Sequence, residues 1–335
     1  MTADPVDELF HPVGDHGAWS ESYYFNFVDP ASGVGAFTRM GFRPNDGWAD
    51  ALHAVYLPGG RVVFTYGRRT DLSPAAVDAM GDADPTVGNL TLRRGEPFQR
   101  WEIVYRGEGQ DMADPTAMLA ATRDRPAGWA RPAELDMAVT FEALAGPHYA
   151  VGGSQGHFEQ TGRVSGEIRV DDETWTVEGF GVRDKSWGPR TWQAPSGSGA
   201  KASGPAEVTE GCFLNWFSMN FGPDLALGGA CGRLGDGSFR GKGWIQREGE
   251  TMDLVEVTIR TEFDPANPLL HRSVELSAVD ASGEAVEVTG EVVSICPTKI
   301  PRRDGVTFVN EGLARFRTGD RTGWGIAEHW YAVPR

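Results

Sequence analysis

Two short stretches concentrate side chains able to move protons. Gly179–Arg190, GFGVRDKSWGPR, sets one acid, three bases, a serine and a tryptophan between glycines. On a strand, side chains alternate, so Phe180, Val182 and Asp184 share one face, and Trp175, Val177 and Arg183 share the other. If the Asp184 face looks into an apolar interior, desolvation raises its pKa and keeps a carboxylic acid neutral near pH 7. Such an acid can protonate an alkene or a polarised carbonyl. Phe180 and Val182 then line the substrate side, and Trp187 and Arg190 shape or clamp it. The same spacing lets Asp184 cap the turn Lys185–Pro189, or pair with Arg183 or Arg190. One hairpin earlier, His157-Phe158-Glu159 places His157 and Glu159 on one side. They could orient a water, with Glu159 as its base, or relay a proton to Asp184. As a surface pair they would contribute little.

Two further stretches carry candidates. In Trp19–Phe27, WSESYYFNF, Glu21 and Tyr23 alternate with polar neighbours. They line a pocket, or the aromatics are core and Glu21 pairs with Arg39 or Arg43. In Gly325–Trp330, GIAEHW, Glu328 and Trp330 share a face. Glu328 reaches the Asp184 region if two barrels share an interface; otherwise it is a solvated acid on a closing strand.

The elements that must position these residues read as strands. Helical periodicity is confined to Pro74–Met80 and Pro115–Arg123. Elsewhere short β-runs are separated by Gly, Pro, Asp and Asn. Pro58-Gly59-Gly60 joins Ala51–Leu57 to Arg61–Tyr66, and Gly107-Glu108-Gly109 follows Phe98–Tyr105. The clearest hairpin runs up Arg163–Val170, turns at Asp171-Asp172-Glu173 and returns along Thr174–Asp184. Eight later runs, from Cys212–Met219 to Gly323–Tyr331, continue the pattern. Strands at this spacing without alternating helices predict an all-β barrel or sandwich architecture. Ala194–Val208, APSGSGAKASGPAEV, is the linker-like segment. It gives an N-terminal domain over 1–194, a linker over 195–208 and a C-terminal domain over 209–335.

Composition narrows the function. The 335 residues carry 31 basic and 47 acidic side chains, a net charge of −16, with no basic run of five. Nucleic acid and anionic membrane surfaces are therefore poor partners. Cys212, Cys231 and Cys296 are widely spaced, which suits buried thiols in a reducing, cytoplasmic setting rather than disulfides or zinc. The seven histidines form no i,i+4 pair, and no metal site or nucleotide-binding motif is expected. No signal peptide and no run of 18 apolar residues is visible. The partner expected is one hydrophobic small molecule, with homodimerisation left open.

At GHFEQTGRVSGEIRV and GFGVRDKSWGPR the chain resembles the carotenoid 1,2-hydratases (hydroxyneurosporene synthases) and the AttH-like proteins, and the WSESYYF and GWGIAEHW stretches fit the same group. The resemblance covers most of the chain. It implies two tandem lipocalin-like antiparallel β-barrels packed together, with few short helices and an enclosed hydrophobic pocket. It further implies cofactor-independent hydration, dehydration, isomerisation or cyclisation of terpenoid-, steroid- or polyketide-like molecules. In the carotenoid hydratases an Asp protonates a terminal alkene and water traps the cation. Asp184 matches that acid and His157 the hairpin histidine. Val182 stands where the hydratases tend to carry Tyr, and Glu159 replaces a cation-stabilising aromatic. A carrier or sensor of a lipophilic ligand, and an accessory structural domain, are the readings from other classes.

Overall fold

The computed structural model describes residues 3–150, 156–190, 211–302 and 305–334. Nineteen strands account for most of them. The first eleven are β1 (Trp19–Val28), β2 (Gly35–Arg43), β3 (Trp48–Tyr56), β4 (Val62–Arg69), β5 (Thr86–Val87), β6 (Leu90–Arg94), β7 (Arg100–Met112), β8 (Arg131–Ala143), β9 (His148–Tyr149), β10 (Gly156–Val170) and β11 (Glu173–Pro189). The other eight are β12 (Gly211–Asn220), β13 (Leu225–Arg233), β14 (Phe239–Arg247), β15 (Glu250–Asp264), β16 (Asn267–Asp280), β17 (Ala285–Arg302), β18 (Gly305–Thr318) and β19 (Arg321–Pro334). Pro74–Asp78 forms one α-helical turn capped by Ser73, and short 3₁₀ turns include Pro5–Glu8 and Pro115–Leu119. Among the described residues no helix is long and apolar enough to cross a membrane.

The all-β architecture expected from the turn spacing is what forms. β1–β11 make one sheet in the order β4-β3-β2-β1-β11-β10-β8-β7-β6-β5, and β4 also pairs with β7. That last pairing returns the sheet on itself and rings eight strands. β12–β19 form a closed antiparallel barrel in sequence order. Closure removes the unpaired edges that a large sheet would otherwise expose. Gly107-Glu108-Gly109, which follows the expected Phe98–Tyr105 run, lies within β7, where Gly107 adopts φ 159 and continues the strand. β10 and β11 outrun the expected hairpin at its open end, starting at Gly156 and ending at Pro189, and the chain turns at Asp171 with φ 50.

The chain divides into two compact units. One comprises Met1–Val55, Val63–Asp111 and Arg131–Ala206; the other comprises Tyr56–Val62, Met112–Ala130 and Glu207–Arg335. Within the second unit, the Tyr56 hydroxyl donates to the Glu311 carbonyl at 2.7 Å, and Lys299 Nζ donates to the Ala120 carbonyl at 2.8 Å. The 195–208 linker lies outside the described residues.

Each unit has its own core. In the first, Phe25 on β1 packs on Trp101 of β7 and Phe141 of β8, with ring centroids 5.7 Å apart in both pairs. β1 neighbours neither strand, so these contacts cross the lumen and mark the interior face. In the second, Phe217, Leu227, Ile245, Leu276, Ala314, Phe316 and Ala327 fill the barrel.

Both cores also hold neutral histidines. Burial pulls the pKa of His53 down to about 4, against a bond to the Phe37 carbonyl that raises it, and His271 likewise falls to about 4. An unfolded imidazole takes up its proton near pH 6.5. Stability should therefore be complete above pH 6.5 and fall as pH drops towards 4, by on the order of 3 kcal/mol for each of these two residues. Urea unfolding across that window checks this, and a flat midpoint would contradict it.

Candidate active site

β10 and β11 carry the chemistry, and their register sets who meets whom. Asp184 lies between Tyr24 on β1 and Glu159 on β10, while Ser186 lies between Ser22 and His157. Cross-strand partners share a face, so His157, Glu159, Asp184, Ser186, Ser22 and Tyr24 form one patch. Two glycines hold this register. A Cβ on Gly181 would fall 1.8 Å from the Asn26 carbonyl oxygen, and one on Gly156 would fall 1.9 Å from the Trp187 ring. Neither position has room for a side chain.

His157 Nε2 bonds Asp184 Oδ2 directly and stands 3.7 Å from Glu159 Oε1. Their side chains are 35%, 15% and 6% exposed for His157, Asp184 and Glu159, so the imidazole is reachable while both carboxylates are largely sheltered. Arg190 reaches the same patch, with Nη2 donating to Ser186 Oγ. Ser22 and Ser186 hydroxyls lie 3.1 Å apart.

The protonation pattern reverses the expectation of a neutral Asp184. Burial alone would raise its pKa, but the charge and hydrogen bond of His157, then Arg190 and Lys185, outweigh it and hold Asp184 below the usual carboxylate value. Burial would lower His157, yet the Asp184 charge and bond, with Glu159, lift it to about 9. At neutral pH the proton rides on the imidazole between two carboxylates. The reason is which face looks inward. Arg183 and Lys185, not Val182 and Asp184, point into the lumen. Asp184 thus meets an imidazole and a guanidinium instead of the hydrocarbon interior.

Several other candidates sit on that inward face, apart from the His157–Asp184 patch. Glu21 is paired with Lys185, not with Arg39 or Arg43. Its carboxylate also accepts from the His11 amide at 3.0 Å and approaches His11 Nδ1 at 3.0 Å. Burial raises the Glu21 pKa, but Lys185 and His11 bring it below normal. Tyr23 stands under Lys185, whose ammonium is 4.5 Å from the ring centroid, and takes a 3.0 Å bond from Arg94. Trp187 stacks on His11 at 3.9 Å and 9°. Phe180 stays on the Asp184 face, with the Arg163 guanidinium 5.4 Å from its ring. Val182 is fully buried on that face, its amide donating to Asn26 Oδ1 at 3.3 Å. Glu328 and Trp330 belong to the second unit, where the indole N–H donates to the Glu328 carboxylate.

Sequence reasoning passed over the N-terminal segment. Glu8, 2% exposed, lies inside the first unit and receives both Arg183 guanidinium nitrogens, at 3.0 and 2.5 Å. The only sequence signal was Asp4-Pro5, an N-cap followed by proline at the first position of a turn. Ser22, Ser186 and Tyr24 were also passed over, because each is ordinary until cross-strand register places it.

A divalent cation is the other occupant the geometry admits. One ligand atom from each of His157, Glu159 and Asp184 lies within 4.8 Å of the others. An ion there would first have to displace the proton that both carboxylates stabilise.

The family described as a domain of unknown function (DUF7064) matches residues 4–331. Among solved structures, a putative AttH (NE1406) from Nitrosomonas europaea is similar at 14% identity and TM-score 0.57, covering 98% of this chain and 96% of that one. Kievitone hydratase from Nectria haematococca is similar at 10% identity and TM-score 0.53, covering 96% and 93%. CghA with Sch210972 is similar at 12% identity and TM-score 0.52, covering 95% and 89%. At these identities the likeness establishes a shared fold. No curated protein matches the sequence.

Proposed function

The chain belongs to the DUF7064 family, and for this member we propose cofactor-independent proton-transfer catalysis on a hydrophobic small molecule by His157 and Asp184. The reaction class is hydration, dehydration, isomerisation or cyclisation of a terpenoid-, steroid- or polyketide-like substrate. The observation that carries this reading is the one-third-exposed imidazole bonded to a sheltered carboxylate, with a second carboxylate 3.7 Å away. The fold shared with kievitone hydratase supports it.

The geometry refines the chemistry. An imidazolium held near pKa 9 is a weak acid, poorly matched to an isolated alkene but suited to a double bond polarised by a carbonyl. In the hydration direction Glu159 orients or deprotonates the water, which adds to the β-carbon as an enolate develops. His157 then gives its proton to the α-carbon while Asp184 holds the imidazole in the orientation that gives and takes it. The proton Glu159 took from water passes to His157 to restore the starting state. Arg190 lies beside Asp184 and is the group for a developing oxyanion. Dehydration is the same path reversed.

The pH profile follows from the signs of the shifts. His157 keeps its proton until about pH 9, so turnover in the hydration direction should decline as pH rises through 9. On the acid side Asp184 stays ionised to below the ordinary carboxylate range, so loss of the Asp184–His157 pair does not set the acid limit of turnover. A sharp alkaline limit near pH 6.5 would show that the pair does not act as a unit.

The test starts with solvent extraction of the purified protein and mass spectrometry of what is released. The compound is then incubated in heavy water with wild type and Asp184→Asn. Deuterium incorporation by wild type alone supports catalysis. Equal incorporation by both overturns the role of Asp184. Binding without incorporation by either makes the protein a carrier.

A further inference from the structure

The second barrel encloses a polar group that the proposed chemistry does not use. His271 on β16 and His329 on β19 stack with ring centroids 3.9 Å apart. Two strands separate β16 from β19, so this contact crosses the lumen. A register shift between Glu262 and Phe263 turns His271 inward, although Val274 and Leu276 face inward at the opposite parity. Asn215 and Asn310 flank His329 on its two neighbouring strands. All four side chains are at most 1% exposed.

Each of the four uses one polar atom within the protein and keeps another without a protein partner. His271 Nε2 donates to the Ala327 carbonyl at 2.8 Å, which leaves Nδ1 as a lone-pair acceptor. Asn310 Nδ2 donates to the Leu269 carbonyl at 2.6 Å and leaves Oδ1 as an acceptor. Asn215 Oδ1 accepts from the Cys212 thiol at 3.3 Å and leaves Nδ2 as a donor. His329 Nε2 meets Thr261 Oγ1 at 2.8 Å and leaves Nδ1. Buried polar atoms are nearly always satisfied, and four unsatisfied ones in a single cluster point to an occupant.

We infer that this end of the second barrel binds an uncharged, hydroxyl-bearing small molecule, held by His271, His329, Asn215 and Asn310. A hydroxyl both donates and accepts, so it is the smallest single group that serves His271 Nδ1 or Asn310 Oδ1 together with Asn215 Nδ2. Burial keeps both imidazoles neutral, with pKa values below normal. A carboxylate would find no cation in the set. A divalent metal would find no anionic ligand and keep its charge uncompensated in the interior. Phe263 meets the His329 ring edge-on at 5.8 Å and offers an apolar wall for the body of the molecule.

Phenol and toluene are matched in shape and differ in the hydroxyl. The experiment titrates each into the ¹⁵N-labelled full-length protein and follows the imidazole nitrogens by long-range ¹H–¹⁵N spectra. Phenol should shift His271 Nδ1 saturably and toluene should not. Asn215→Leu, which removes the free donor and keeps the volume, should weaken phenol at least about tenfold. His329→Phe keeps the stacked ring and should weaken phenol likewise. Equal responses to both compounds mean an apolar cavity without hydroxyl recognition and overturn the inference. So does a His271 Nδ1 signal that ignores phenol, since ordered water or packing then meets these atoms. An unchanged phenol affinity in both variants overturns it as well.

Discussion

Asp184→Asn is expected to lower turnover by roughly 10²- to 10⁴-fold, the usual contribution of a positioned proton-transfer group, while the protein remains folded. Asparagine keeps the size and an acceptor oxygen at the position bonded to His157 but removes the charge. That charge, with its hydrogen bond, is the main influence opposing the burial that would depress His157. The His157 pKa should therefore move down from about 9, with only Glu159 at 3.7 Å left to support the imidazolium. Two readouts separate the roles. Deuterium incorporation measures catalysis, and the His157 carbon-bound proton shifts measure its titration by NMR. Lost incorporation together with a lowered His157 pKa is the expected pair. Full incorporation with a lowered pKa would show the ion pair to be structural. The stability loss should stay below that of a fully buried pair, because the imidazole is 35% exposed and can shed its proton once position 184 is neutral.

Glu8→Ala is expected to destabilise the first unit by about 3–5 kcal/mol, the cost of leaving one member of a buried ion pair alone. Glu8 gathers more than Arg183. It accepts from the Trp101 indole at 3.2 Å and from the Phe98 amide at 3.0 Å. Phe98 has φ 58, a conformation that bulky residues rarely take, and its amide bond to Glu8 is one of the contacts that hold it. Arg183, 2% exposed, also donates to Gln160 Oε1 at 2.7 Å and lies 5.0 Å from the Phe158 ring. With Glu8 gone, its charge remains in an aromatic cage. The double variant Glu8→Ala, Arg183→Met should recover part of the loss, since an apolar side chain of similar length suits that cage. Denaturant unfolding of the four proteins measures the coupling. Additive losses would show that the pair is not linked. The N-terminal segment is thus part of the first unit's interior.

The sequence by itself determined the all-β class and the strands of the second barrel, because turn residues recur at strand spacing and no segment has sustained helical periodicity. It also singled out His157, Glu159 and Asp184, and the antiparallel register of one hairpin brings them together. Their contact needs only local pairing, which is why it was legible. The orientation of that hairpin was not. Period-2 alternation sorts residues into two faces but does not say which is the lumen. Along β1 the usual cue disappears, since every residue from Ser20 to Val28 is buried and both faces read alike. Only ring closure decides that Arg183 and Lys185 point inward while Asp184 points away, and so decides that the proton resides on His157. The same holds for Glu8 and Glu21. Their partners Arg183 and Lys185 lie 175 and 164 residues away in the chain, and no local pattern encodes a pairing that only the closed barrel creates.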